Sequence, residues 1–519
     1  MQEFSHNPVW RALAVIVPGA LLAVYLAAQV GSGDLSIATY FLIGVVVLLG
    51  VKISTKYVRL EGLLLGVLLF GYIVGQSGFG HFSLSERRGI YFGEIGMVLC
   101  AAALCAHIAF TREKMIPGTA LAKAILAFVI VGVCRFIYDI RYSVEPMVVT
   151  RDFATIYYAA FYFIAFNICR HANSRAFLQR TITAALILSI FVFGVFLAFP
   201  GFFEKDLLVH GRPFIEPRAD LTGSFMGFAC IYFFLTGQLK GHPLRWTFLS
   251  FAAVVVLLAA LSRATFVGFA AAVMLLIIAG QSRFMLYLLV FCVIGAAVLL
   301  PIGLSMKGSG EENYATVVRD KVLSIVEPFH TNKLTFASTA GDISAGNNEF
   351  RAAWWKSVIE ETSEKSPWVG MGFGYDLAKR FLRSYSSSIN PYEFDARSPH
   401  SILLTVFGRM GLVGILAFAV VIFSILGSSL RCAAAIRRRK TSPLDIAPWC
   451  GVFAILITSC FGVMLEGPMA AIVFWSLLGM ASYREWERAQ PEQKKVAPAA
   501  ESPSEVLQPI SSRITSRLA

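Results

Sequence analysis

VVVLLAALSRATFVGFAAAVMLLIIAG, residues 254–280, decides the fold. Two apolar runs meet at Arg263 with almost no loop between them. A cation at mid-membrane costs about 2.5–3.5 kcal/mol on insertion scales, whereas at a helix end its long side chain reaches the interface at lower cost. The stretch therefore reads as the end of one membrane span and most of the next, with Arg263 at the surface between them. Apolar runs of this kind recur from Trp10 to Tyr483. Each is about 20 residues, enough to cross a hydrocarbon layer about 30 Å thick. The whole chain is 57% hydrophobic and only 15% charged, with a mean hydropathy of +0.68. The runs do not alternate as barrel strands would. The fold class is an all-α polytopic membrane protein of about 12–14 transmembrane helices.

The spans read near 10–30, 35–53, 58–77, 90–110, 116–140, 147–168, 181–200, 219–239, 244–261, 263–280, 283–304, 401–430, 445–465 and 467–483. Basic residues cluster in alternate loops: Lys52, Lys56 and Arg59; Arg112 and Lys114; Arg170, Arg175 and Arg180; Lys240 and Arg245; Arg283; and RCAAAIRRRK at 431–440. With the N-terminus inside, all of these face the cytoplasm, as the positive-inside rule asks, and the C-terminus is inside as well. SERR at 85–88 runs against the pattern. The net charge of +13 follows from these loops and gives no ground for a nucleic-acid partner. All nine Cys lie within or beside apolar runs, without a CxxC or a Cys/His cluster of metal-ligand spacing, so neither disulfides nor a metal is expected. Residues 10–30 read as a retained first helix, because no small-residue cleavage site follows them.

The domain organisation follows: N-terminal transmembrane helices at 1–200, helices carrying two arginine motifs at 201–304, one large loop at 305–400, C-terminal helices at 401–484, and a disordered cytoplasmic tail at 485–519. Within the large loop, NNEFRAAWWKSVIEETSEKSPW (347–368) has helical character. Phe350, Trp354 and Val358 recur at four-residue spacing, with Ile359 completing the stripe and Glu349, Lys356, Glu360 and Glu361 off it. Such a helix suits either the membrane surface or packing on its own loop. GMGFGYD (370–376) then reverses the chain; it has neither the strand of a dinucleotide fold nor the ending of a P-loop.

Three polar residues stand at span ends on the side opposite the basic loops: Arg218 in RADLTGSF, Arg263 in LSRAT and His400 in SPHS. Ser262 can cap the helix after it, whose N-terminus favours an anion. Arg offers a planar fork to phosphate oxygens. A histidine with a reference pKa of about 6.5 can take a proton near neutral pH. Arg212 and His210 can share the arginine role, and His81, His210 and His330 are the other outer-side histidines. No carboxylate pair of the glycosidase kind stands out; Asp220 and Glu216 come nearest. Two cations and a base at one membrane surface suit a phosphate-bearing lipid substrate.

RADLTGSF, LSRATFVGF, FRAAWWKSVIEE…SPWVGMGFGYD and PHSILLTVFGRMGLVG, in this order, resemble the O-antigen ligase and polysaccharide polymerase superfamily of bacterial inner membranes. The likeness covers roughly 200–425. Two positions depart from the pattern: Ser401 follows the histidine where Asn is frequent, and Arg409 stands where an acidic residue is frequent. The resemblance implies a GT-C-like fold with a large periplasmic loop containing short helices. It implies an inverting, metal-independent glycosyltransferase without cofactor. Its donor is a glycan on a polyprenyl diphosphate such as undecaprenyl diphosphate, and its acceptor is a sugar hydroxyl on a lipid A core or another glycan. By that resemblance Arg218 and Arg263 hold the diphosphate and His400 is the general base, while Arg351 and Trp354 match a recurrent loop motif. The expected setting is lipopolysaccharide or exopolysaccharide biosynthesis, by a ligase or, alternatively, a polymerase. A transporter or flippase is the alternative of another class; transporters place charges at mid-membrane in matching halves, and this chain does not.

Overall fold

The computed structural model describes residues 58–490 except 82, 86–89, 113–114, 144, 200, 204–207, 210–211, 214, 240–242, 261, 306–319, 321–322, 324–337 and 386–396. The spans expected at 10–30 and 35–53, most of the large loop before 338, His210, His330 and the tail beyond 490 lie outside the described residues.

The described chain is almost entirely helical. In order it forms α1 (Leu60–Val74), α2 (Gln76–Gly80), α3 (Phe92–Thr111), α4 (Ala120–Tyr142), α5 (Pro146–Asp152), α6 (Ala154–Tyr157), α7 (Ala160–Cys169), α8 (Ala172–Ala198), α9 (Ala219–Leu239), α10 (Pro243–Ala259), α11 (Arg263–Ile278), α12 (Arg283–Ser305), α13 (Thr339–Lys365), α14 (Lys379–Tyr385), α15 (Ile402–Arg437), α16 (Ala447–Ser459) and α17 (Pro468–Ala489). Two small antiparallel ribbons complete it: β1 (Ser83–Ser85) with β2 (Ile90–Tyr91), and β3 (Leu208–Val209) with β4 (Arg212–Pro213). Among the described residues six stretches are long and apolar enough to cross a membrane, and four shorter apolar helices join them. The fold is that of a polytopic all-α membrane protein.

Several boundaries differ from the sequence reading. The span expected at 147–168 is broken into α5, α6 and α7. Helix α8 starts nine residues earlier than expected, so Arg175 and Arg180 are helical rather than in a loop. The basic run at 431–440 is likewise helical as far as Arg437. Ser262 precedes α11 but makes no side-chain cap; its carbonyl instead accepts from Thr265 Oγ1 at 2.7 Å.

Small residues set the helix order around the centre. A Cβ at Gly223 of α9 would lie 2.5 Å from Thr265 Oγ1 of α11, and one at Gly268 of α11 would lie 2.5 Å from Ala454 O of α16. Helices approach this closely in lipid where a side chain is missing. Thr458 of α16 ties the three together: its Oγ1 accepts from Ser224 Oγ of α9 at 3.1 Å and lies 3.4 Å from Ala264 O of α11, which it can reach as a donor. The contacts run parallel between α9 and α11 and antiparallel between α11 and α16. The N-termini of α9 and α11 and the C-terminus of α16 therefore share one end of the bundle. The opposite end gathers Arg175 with Glu487, Arg431 with Glu485 and Arg484 with Asp445.

Helix α15 breaks at Gly411 (φ 62°, ψ −155°), which deprives two amides and two carbonyls of their helical partners. The large loop supplies replacements. Leu412 N and Val413 N donate to Pro367 O (2.8 Å) and Trp368 O (3.1 Å); Gly408 O and Arg409 O accept from Met371 N (2.7 Å) and Gly372 N (3.1 Å). Glycine at both positions permits this splice. A Cβ at Gly411 would sit 2.4 Å from the Trp368 carbonyl carbon, and Gly370 has φ +70°. GMGFGYD thus reverses the chain, as expected, and also completes a broken helix.

The apolar stripe of α13 packs on its own loop. Phe350, Trp354 and Val358 lie against Leu377, Ala378, Phe381 and Leu382 of the segment that includes α14. The membrane-surface alternative is set aside, since this stripe is occupied. Two details differ from the sequence reading: Ile359 is exposed, and Glu361, placed off the stripe, is buried and accepts from Tyr375 OH (2.5 Å) and Lys365 Nζ (2.6 Å).

Candidate active site

RADLTGSF opens α9 at the end of the bundle defined above. Arg218 stands just before the helix, and its guanidinium meets Asp220 at 3.0 Å. Gln76, at the junction of α1 and α2, fixes this start. Its Oε1 accepts from Arg218 N at 2.9 Å, and its amide nitrogen lies 2.9 Å from Thr222 Oγ1. Gln76 is buried and itself left-handed (φ 48°). The buried amide of a polar side chain thus satisfies an orphan group of a helix start.

The large loop covers this end through α13. Arg263 Nη1 donates to Asn348 Oδ1 at 2.9 Å, so Arg263 reaches under the loop rather than outward to lipid. One helical turn further, Arg351 Nη1 donates to Phe461 O at 2.9 Å, in the bend after α16. The adjacent Gly462 faces Asp220: a Cβ there would lie 3.6 Å from Asp220 Oδ2. Burial lowers the Arg351 pKa, and Asp220 opposes that shift.

His400 stands just before α15. Its backbone is left-handed (φ 56°), a conformation that costs a residue bearing a Cβ on the order of 1–2 kcal/mol. The surroundings hold it there. Trp355 Nε1 donates to Pro399 O at 2.7 Å; Ser398 Oγ lies 3.1 Å from Thr405 Oγ1, which donates to Glu466 Oε1 at 2.9 Å. Trp354 backs the imidazole at 5.7 Å between ring centres and itself stacks on Phe381 at 5.5 Å. Burial first, then Arg351 and Arg218, pushes the His400 pKa down to about 4, with Asp220 pulling the other way. The imidazole is therefore neutral at pH 7. Among the described residues none hydrogen-bonds to its ring nitrogens.

The structure thus brings Arg218, Asp220, Arg351 and His400 within mutual electrostatic reach, with Arg263 one turn along α13 through Asn348. Trp354, a secondary candidate, serves as packing behind His400. Arg212 lies in β4, with its side chain outside the described set. His81 is on the same end, with Nδ1 3.5 Å from Glu216 Oε2. Sequence reading missed Gln76, Asn348 and Glu466. A glutamine or glutamate beside an apolar run was the available signal. Among the described residues no three His, Cys, Asp or Glu side chains gather as a metal ion would need.

Residues 248–419, about a third of the chain, match the family model Wzy_C, O-Antigen ligase. That stretch is similar to the O-antigen ligase family. No curated protein matches the chain. The matched stretch runs from α10 into α15 and contains Arg263, Arg351, Trp354 and His400. Arg218, Asp220 and Gln76 lie outside the matched stretch and reach the same place only through the fold.

Proposed function

We propose that the protein transfers a glycan from a polyprenyl-diphosphate carrier to a sugar hydroxyl, as an O-antigen ligase, on the outer face of the bacterial inner membrane. The observation that carries this is the placement of a neutral imidazole, His400, among the guanidinium groups of Arg218 and Arg351 at one end of the bundle. That end lies opposite the one crowded with Arg175, Arg431, Arg437, Arg438, Arg439 and Arg484, which the positive-inside rule assigns to the cytoplasm.

In this reading Arg218, Arg351 and Arg263 cradle the diphosphate. His400 takes the proton of the acceptor hydroxyl as its oxygen attacks the anomeric carbon. The bond from that carbon to the phosphate oxygen breaks, the carrier diphosphate leaves with the electron pair, and the anomeric configuration inverts. Preorganised cations stabilise the charge that develops on the departing oxygens, and a positioned base contributes typically about 10²–10⁴-fold. Diphosphate binding also acts on the base. The cations that keep His400 a weak base are offset by the anion, so its pKa rises once the donor is in place and proton abstraction becomes easier. Asp220 holds Arg218 at the ready and is displaced from that pairing by phosphate.

The test is to give purified protein a carrier-linked glycan with and without a lipid A-core acceptor. Glycosylated core supports the ligase reading. Lengthening of the carrier-linked glycan without core identifies a polymerase, and counterflow of the lipid without a covalent product identifies a transporter.

A further inference from the structure

The break between α5 and α6 places Asp152 against the large loop. It pairs with Arg409, and its Oδ2 also accepts from Gly374 N at 2.8 Å. Arg409 is buried in the short helical piece between His400 and the break at Gly411. Beside it, Asp139 of α4 accepts from Phe373 N at 2.7 Å and pairs with Arg135 at 3.0 Å. Arg397, three residues before His400, donates to Gly374 O at 2.7 Å and lies 3.9 Å from Asp152. Two carboxylates of the membrane helices therefore take consecutive amides of the glycine turn, and one of them also takes the arginine of the helical piece. Two backbone hydrogen bonds, Met371 N to Gly408 O and Gly372 N to Arg409 O, join turn and piece, and two more tie Pro367 and Trp368 to α15 beyond Gly411. The assembly is one body: α13 with Arg351, the glycine turn, and residues 397–410 with His400.

We propose that Asp152 is a positioning residue for His400: by holding Arg409 and the glycine turn it pins the arm that carries both Arg351 and His400 over Arg218. This rests on the transfer reaction proposed above. Asp152 touches neither imidazole nor Arg351; it acts through the arm. The departure of Arg409 from the acidic residue frequent in the family has its physical partner here, because an acidic residue at 409 would face Asp152 with like charge. A misplacement of about 1 Å can cost about 10²-fold in rate, and without Asp152 the glycine turn and residues 397–410 lose their side-chain anchor to α5.

The test uses the full chain in liposomes, with exposed Cys105 and Cys134 replaced and spin labels at Lys356→Cys on the arm and Phe191→Cys on α8, both exposed. Asp152→Asn is expected to broaden the distance distribution, to lower kcat about 10²-fold and, because Arg351 rides on the same arm, to raise KM for carrier-linked donor as well. If Asp152→Asn does not fold, Asp152→Glu decides: it keeps the charge but lengthens the reach, so it is expected to shift the distance and lower kcat. An unchanged distance distribution, or a kcat within about twofold of wild type in the folded variant, overturns the proposal. His400→Ala serves as the separate control. If it transfers like wild type the reaction reading falls, while the distances still decide whether Asp152 pins the arm.

Discussion

Replacing Arg351 with Gln removes the nearer in effect of the two cations that bear on His400 while keeping a side chain able to donate to Phe461 O. A like charge close by disfavours the protonated imidazole, and an effect of about one pK unit corresponds to about 1.4 kcal/mol. His400 is lowered to about 4, with burial the first cause and Arg351 the second. Removing the cation favours the protonated imidazole, so the midpoint should rise to about 5. Burial remains in the variant and keeps it below the reference value of about 6.5. Exchange of the imidazole C2 hydrogen, followed by mass spectrometry across pH 3–8, reads this midpoint on the peptide containing His400. Arg218→Gln should shift it the same way by less, and Asp220→Asn should shift it downward. Saturating pyrophosphate should raise the wild-type midpoint and leave an Arg218→Gln/Arg351→Gln protein nearly unmoved. A midpoint that stays near 4 in Arg351→Gln, or that falls, refutes the placement of these cations around the base.

Three further outcomes follow from the geometry. His400→Gly and His400→Ala should both abolish transfer, but the glycine variant should be more stable by about 1 kcal/mol in detergent-solubilised thermal unfolding, since only glycine is at ease at φ 56°; equal stability contradicts the strain. Gly411→Ala places a Cβ 2.4 Å from the Trp368 carbonyl carbon and should cost about 3 kcal/mol or more, or prevent folding; unchanged unfolding would contradict the splice. Gln76→Leu leaves Arg218 N and Thr222 without their buried partner, at about 1–3 kcal/mol, and should weaken donor binding in an equilibrium measurement; unaltered binding argues that Gln76 does not set Arg218.

Much of this architecture is legible in the sequence because the membrane forces it to be. An apolar run long enough to span has few other uses, and an arginine between two such runs, as at Arg263, must sit at a surface. The lateral order of helices is less legible. Lipid-facing and protein-facing positions are both apolar, so nothing in the composition of α9, α11 and α16 shows that Gly223, Gly268 and Thr458 bring them together. Residues that meet across long separations were silent for the same reason. Asp152 and Arg409 are far apart in sequence, and Asp152 lay inside what read as a continuous span. Gly411 sits in an apolar run where glycine is unremarked until the φ of the backbone shows the break. Arg351 was visible as a motif residue, but its place beside His400 depends on α13 folding back over the bundle.

The most direct test separates donor binding from transfer. Purified His400→Ala should bind a polyprenyl-diphosphate-linked glycan with wild-type affinity and form no product, whereas Arg351→Ala and Arg218→Ala should lose donor affinity. Wild-type transfer by His400→Ala, or undiminished donor binding after loss of both arginines, contradicts the account.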